Sequence, residues 1–328
     1  MKAGRPLSLL LLAALLATCL CAGPALARKT FLAFGGGPAG GTFQYFANAI
    51  ALYVQGHVGG LDIAAEASGG SVENLKRLDK NEIDYGIVYM GDAYLGRTGE
   101  LAEDPARYEQ VRAVAFLYGA PAQLAVRADS GIAGVKDLAG KRIAVGNAGS
   151  GAAIACERYL VQLGLWDKVD KQFLGYVPAA AAFVEGKIDA FWLFVGYPNV
   201  TITETAAKTP LRLLDLGTDA QASGFYQAFP FYSPATIPAG TYPGQSAAVS
   251  SFQDAAYWMA NKDVPQEIVY ASVKAVFTDD GLKTMVAAHK AAREMTVPGA
   301  LAGLAIPLHP GAAQFWQEKG LPLPPAAK

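Results

Sequence analysis

The chain has 328 residues, 52% of them hydrophobic and 17% charged, with 27 Lys and Arg set against 28 Asp and Glu. That length and apolar content suffice for two packed domains, while charges this sparse, balanced and unclustered exclude a nucleic-acid-binding surface.

Lys2 and Arg5 precede an apolar run over residues 7–20, and the small residues Ala25 and Ala27 follow it. This is the pattern of a secretory signal peptide cleaved after Ala27, and the run falls short of the roughly 18 to 20 residues that span a bilayer. Thr18 and Leu20 stand before Cys19 and Cys21, where lipid attachment calls for a small residue. Cleavage leaves Cys156 as the sole thiol, so the mature chain has no intramolecular disulfide and stands on core burial. The expected location is the periplasm.

Residues 30–34 read as a strand, 35–41 as a glycine-rich loop, and Thr42 opens a helix on which Phe43, Phe46, Ala47, Ile50 and Val54 recur at helical spacing. A second strand over 61–67 leads through Ser68, Gly69 and Gly70 into a helix with Ser71 as N-cap and Leu75 and Leu78 on its buried side, and 85–88 reads as a buried strand. The plan returns with a strand at 142–145, a glycine loop at 146–151, a helix through Leu163 and a strand at 190–195. The pentapeptides Asn81-Glu82-Ile83-Asp84-Tyr85 and Gly186-Lys187-Ile188-Asp189-Ala190 stand at similar distances after their glycine loops, an echo that fits two lobes of one build. Asp84 and Asp189 then satisfy backbone N–H groups at turns rather than form a catalytic carboxylate pair.

Between the halves, 121–126 is a strand carrying the chain from one lobe to the other, and the Pro/Gly-rich stretch 230–244 is an irregular return route. A helical pattern over 266–277, with Ile268, Val269 and Val273 apolar, lies back on the first lobe. The expected organisation is therefore a leader (1–27), one lobe from 28–120 with 250–328, and a second from 121–249, hinged at two crossings. Alternating strands and helices place the protein in the α/β class with mainly parallel sheets, where ligands gather at the carboxyl ends of the strands.

Small residues where a strand feeds a helix make an anion site, because free backbone N–H groups and the positive end of the helix dipole point the same way. The residues assigned to ligand binding are Gly37, Thr42, Tyr45, Ser68, Gly69, Gly70, Ser71, Asn74 and Asp92 from the first lobe, and Asn147, Ser150, Gly151 and Tyr197 from the second, Asp92 through the family resemblance given below. Ser71 and Asn74 would hold a carboxylate by side chain and Gly69 and Gly70 by backbone; Asn147, Ser150 and Gly151 would take a second group. Tyr45 and Tyr197 would complete the two walls. Arg127, Arg142 and Arg158 are candidate counter-charges, each also at home on a surface. No catalytic residue, metal or cofactor is assigned. His57, His289 and His309 are scattered, and no Gly-x-Ser-x-Gly, His-Glu-x-x-His, Cys-x-x-Cys or phosphate-loop spacing occurs.

The ordered motifs resemble those of the TAXI-type receptors of tripartite ATP-independent periplasmic (TRAP) transporters. They are Gly69-Gly70-Ser71-Val72-Glu73-Asn74-Leu75, Phe116-Leu117-Tyr118, Ala128-Asp129-Ser130-Gly131-Ile132, Asp137-Leu138-Ala139-Gly140-Lys141, Gly149-Ser150-Gly151, Gly196 with Pro198, Ile237-Pro238-Ala239-Gly240, and Leu308-His309-Pro310-Gly311. The resemblance implies a two-lobe periplasmic-binding-protein fold with two chain crossings and no enzymatic activity. It also implies delivery of a small organic anion, such as glutamate, 2-oxoglutarate or another dicarboxylate, to a membrane permease. It places His309 in a structural turn. Departures fall at Ala152, where the family usually has Thr, at Met90-Gly91 before Asp92, and over Gln44-Tyr45-Phe46-Ala47, and they point to a less polar acid or to recognition by backbone N–H groups. The alternatives are a ligand-sensing module for a membrane receptor and an exported enzyme on the same scaffold.

Overall fold

The computed structural model describes residues 29–101 and 104–325. The leader, with Cys19, Cys21 and the expected cleavage after Ala27, lies outside them. The chain runs β1 (Thr30–Gly35), α1 (Thr42–His57), β2 (Leu61–Glu66), α2 (Ser71–Asp79), β3 (Tyr85–Tyr89), α3 (Met90–Thr98) and the long strand β4 (Val111–Arg127). Then come β5 (Arg142–Ala144), α4 (Gly151–Gln162), β6 (Asp170–Gln172), α5 (Tyr176–Val184), β7 (Ala190–Phe194), α6 (Val200–Lys208), β8 (Leu211–Leu213) and β9 (Ser233–Ile237). A second long strand, β10 (Val249–Asn261), precedes α7 (Gln266–Val276), α8 (Asp279–Ala288) and α9 (Pro310–Glu318).

The strands lie in the order β2-β1-β3-β10-β4-β7-β5-β6, with β8 on β4 and β9 on β10. In each half the three outer strands pair in parallel, β2-β1-β3 in one and β7-β5-β6 in the other, as α/β alternation requires. The two long strands join the halves antiparallel. β4 pairs with β10 up to Pro121 and with β7 from Ala122 onward, so one continuous strand serves both lobes. β10 does the same in reverse, pairing with β9 over Val249–Gln253 and with β3 over Ala256–Ala260. The fold is thus a two-lobe α/β periplasmic-binding-protein fold whose two crossings are neighbouring strands. The stretch 230–244, read from its prolines and glycines as the return route, instead holds β9, and β10 makes the crossing.

Periodicity carried the packing. Phe43, Phe46, Ala47, Ile50 and Val54 are all buried on α1, and Leu75 and Leu78 on α2. α7 buries Val269, Val273 and Val276 and packs against α1 and α9. Each lobe has an aromatic core: Phe34, Tyr85 and Trp258 in the first, and Tyr159, Trp192, Phe194, Phe225, Tyr232 and Phe252 in the second. Burial of each such ring contributes roughly 1.5–3 kcal/mol, which suits a chain whose one described cysteine, Cys156, is buried and free. The two echoed aspartates do the same job in both lobes. Asp84 Oδ2 accepts the Ala33 N–H at 2.7 Å and Asp189 Oδ2 the Arg142 N–H at 2.9 Å. Each aspartate therefore ties its strand to the parallel neighbour rather than to a local turn. No helix among the described residues is long and apolar enough to cross a membrane.

Candidate functional site

The carboxyl ends of the parallel strands from both lobes face one another, and the loops that leave them enclose a cavity. Pro38, Gly41, Thr42 and Phe43 follow β1; Gly69, Gly70 and Ser71 follow β2; Tyr89 ends β3; Asn147, Ser150 and Ala152 follow β5; Gly175 and Tyr176 follow β6; Val195 follows β7. Its free volume for the centre of a water molecule is about 20 Å³, room for one or two waters and too little for an organic acid. The lobes are shut upon each other.

Several contacts hold that closure. Gly196 N–H donates across the cleft to Thr42 Oγ1 at 3.1 Å, and Asn199 Nδ2 to the Gly40 carbonyl at 2.8 Å. The Tyr89 hydroxyl donates to the Phe194 carbonyl. A Cβ on Gly151 would lie 2.3 Å from Asp92 Oδ2 and 2.7 Å from Ser71 Cβ, so α4 meets α2 and α3 backbone-first. Burial pushes the Tyr89 and Tyr176 hydroxyls well up, and both rings face the cavity neutral.

Two helices start at this cavity, one from each lobe. Gly70 rather than Ser71 is the N-cap of α2, with φ of 111°, a conformation that suits glycine, and Ser71 is the first helical residue. The Ser71 hydroxyl turns inward, donating to Asp92 Oδ2 at 2.7 Å and accepting the Tyr89 N–H at 2.9 Å. On α4, Ser150 is the N-cap and its Oγ accepts the Ala153 N–H at 3.1 Å. Among the described residues no hydrogen bond engages the amides of Ser71, Val72 and Glu73 on α2 or of Gly151 and Ala152 on α4. They are the free donors of two opposed helix starts.

The expected cradle shifts accordingly. The Gly69 N–H is taken by Glu73 Oε2 at 2.8 Å and the Gly70 N–H by Ser68 Oγ at 3.1 Å, so neither is free for a ligand. Ser68 closes the loop on the Gly36 carbonyl, and the Gly37 N–H is held by Gln44 Oε1 at 3.2 Å. Asn74 is buried away from the cavity, its Nδ2 donating to the carbonyls of Gly35, Gly36 and Ile87 at 3.2, 2.7 and 2.9 Å; three strand-end carbonyls need that amide more than a ligand does. Tyr45 is off the wall, half-exposed with its ring 5.8 Å from His289. Tyr197 lies in a separate groove with Lys290, Arg293 and Glu294. Thr42, Gly69, Gly70, Ser71, Asn147 and Ser150 do line the cavity, and Gly151 and Asp92 stand just behind them.

Sequence reading missed Tyr89 and Val195 as cavity lining, and it did not separate Arg158 from Arg127 and Arg142 as a candidate counter-charge. Arg127 binds the Phe183 and Val184 carbonyls and Arg142 pairs with Asp189, but Arg158 is buried and its Nη1 reaches Asp92 Oδ1 at 3.3 Å. Burial works to lower its ionisation; Tyr232, Asp92 and Asp254 outweigh that and hold the guanidinium charged. The available signal was a charged pair, Glu157-Arg158, set between the apolar run Gly151-Ala152-Ala153-Ile154-Ala155-Cys156 and Tyr159-Leu160-Val161 on one helix.

Among solved structures, the chain is similar to a candidate L-cystine ABC transporter protein from Listeria monocytogenes (15% identity, 78% of this chain and 94% of that one, TM-score 0.50). It is similar also to a protein from Bordetella bronchiseptica RB50 (18% identity, 88% and 82% covered, TM-score 0.50). A third similarity is to the alkanesulfonate-binding protein SsuA from Xanthomonas axonopodis pv. citri bound to MOPS (16% identity, 89% and 91% covered, TM-score 0.49). Likeness at this identity shows the fold. In sequence, the match to a family model over residues 34–320 shows that the chain belongs to the NMT1-like family.

Proposed function

We propose that the protein is an exported solute receptor that binds a small organic anion between its lobes and delivers it to the membrane permease of a TRAP-type transporter of the TAXI kind. The observation that carries the reading is the pair of helix starts, Ser71 on α2 and Gly151 on α4, that face one cavity from opposite lobes with their first-turn amides free. Two positive dipole ends held in a closed cleft attract a molecule with one or two anionic groups. The cavity wall adds the polar Asn147 and otherwise Pro38, Phe43, Tyr89, Tyr176 and Val195, with no charged side chain. Such a lining favours a carboxylate on a compact, largely apolar body. Access requires the lobes to part at the two long strands, and closure then gives the permease a surface that the open form lacks. The motif order along the chain supports the TAXI assignment; the periplasm and a permease partner follow from it, and the reading assigns no catalytic residue, cofactor or metal.

The test is a thermal-shift panel of 2-oxoglutarate, glutamate, succinate, short monocarboxylates and MOPS on the purified protein. A ligand at a hundred times its Kd stabilises by about 2.7 kcal/mol, a rise of roughly 4 °C for a chain of this size. At least one carboxylate should produce it. No response to any of these anions, together with a shift from an uncharged sugar or a cationic amine run beside them, would contradict the anion reading.

A further inference from the structure

Behind the cavity, two carboxylates from one side of the cleft meet one guanidinium from the other. Asp92 stands in the first turn of α3, Asp254 on β10, and Arg158 two turns into α4. Arg158 Nη1 donates to Asp92 Oδ1 at 3.3 Å and to the Tyr232 hydroxyl at 3.1 Å, and the guanidinium lies 5.4 Å above the Phe231 ring. Asp254 is engaged by the Gly91 N–H at 3.2 Å and the Ala255 N–H at 2.7 Å. The other oxygen of Asp92 accepts from Ser71 at 2.7 Å. An unbroken polar chain therefore runs from the body of one jaw's helix to the first residue of the other's.

We propose that Asp92 and Arg158 form an interlobe latch, made only when the lobes close, and that Arg158 is through it a positioning residue for the Ser71 end of the cavity. The proposal rests on the reading that the lobes open and close around a ligand. The two side chains are 2% and 9% exposed here, whereas parting the lobes returns both to water. Closure thus strips hydration from two ions, and their attraction offsets that cost with little surplus, the more so because Arg158 Nη2 is buried with no partner among the described residues. A latch so balanced lets go. Removing one partner is different, because it leaves an uncompensated charge in the closed form alone.

The Gly196 amide reports the open fraction, since its donation to Thr42 exists only in the closed form. Hydrogen exchange there, on the ligand-free protein, should quicken at least about tenfold in Arg158→Met and in Asp92→Asn. It should return to within about threefold of the parent in the double variant, where the Asp92–Arg158 pair is gone from both forms and Asp254, whose carboxyl burial pushes well up, keeps its Gly91 and Ala255 N–H partners. Amides within β7, which lie inside one lobe, should not move. Unchanged single variants, a double variant as fast as the singles, or equal acceleration in β7 would overturn the latch. Exchange at Gly196 that matches β7 in every protein, the parent included, would overturn the opening motion itself, a separate failure.

Discussion

At the scale of single residues, the polar groups in this molecule are settled by what the backbone lacks. Asn74 was readable as a ligand donor because it follows a glycine loop, yet three carbonyls at strand ends claim its amide. His309 shows the converse, since the structural role expected from its motif is what the geometry shows. Its Nδ1 accepts the Gly311 N–H at 3.2 Å as N-cap of α9, and burial pulls the imidazole from 6.5 down to about 4. Protonation would cost both the cap and the charge's hydration. His289 is lowered to about 4 by the same cause. A histidine whose folded-state value is depressed adds stability that is complete above pH 6.5 and is lost as the pH falls through 6.5 toward 4, at most about 3 kcal/mol for His309 at about 1.4 kcal/mol per unit. In His309→Asn, which keeps a cap acceptor, the fall in melting temperature between pH 7.5 and pH 5 should shrink. An undiminished fall would show that His309 is not the acid-sensitive group.

Among elements, those with near-continuous apolar runs between glycine loops were legible, because strands buried on both faces leave no other pattern. β10 was not. Its first half carries Ser250, Ser251, Gln253 and Asp254, and its partners β3 and β4 lie far back in the sequence, so nothing local marks it as a central strand. The same distance hid Arg158, whose burial depends on an element from the other lobe. What was legible of the site was its position at two helix starts; which amides are free depended on loop geometry at Glu73 and Ser68 that spacing does not encode. The meeting of α2, α3 and α4 gives a prediction at this scale. Gly151→Ala places a methyl against Asp92 and Ser71, a clash that exists only between closed lobes. Affinity for the acid found by the thermal panel should weaken about tenfold or more, because apparent affinity scales with the closed fraction, while the ligand-free melting temperature stays put. Unchanged affinity would mean that closure tolerates the methyl and is not so tight.

For the whole molecule, two lobes of one build share a sheet through β4 and β10, and among the described residues these two neighbouring strands carry the chain between the lobes. In the proposed opening, the short strands of each lobe move as units and the crossings bend where Pro121 pairs with Gln253. The tightly shut cavity, the glycine contact at Gly151 and the Asp92–Arg158 pair all describe one end of that motion. Small-angle X-ray scattering on the ligand-free protein and with the saturating acid tests this most directly. The radius of gyration should fall on ligand addition in the parent and fall less in Gly151→Ala. An identical scattering curve with and without ligand, in a protein that demonstrably binds it, would contradict closure between lobes.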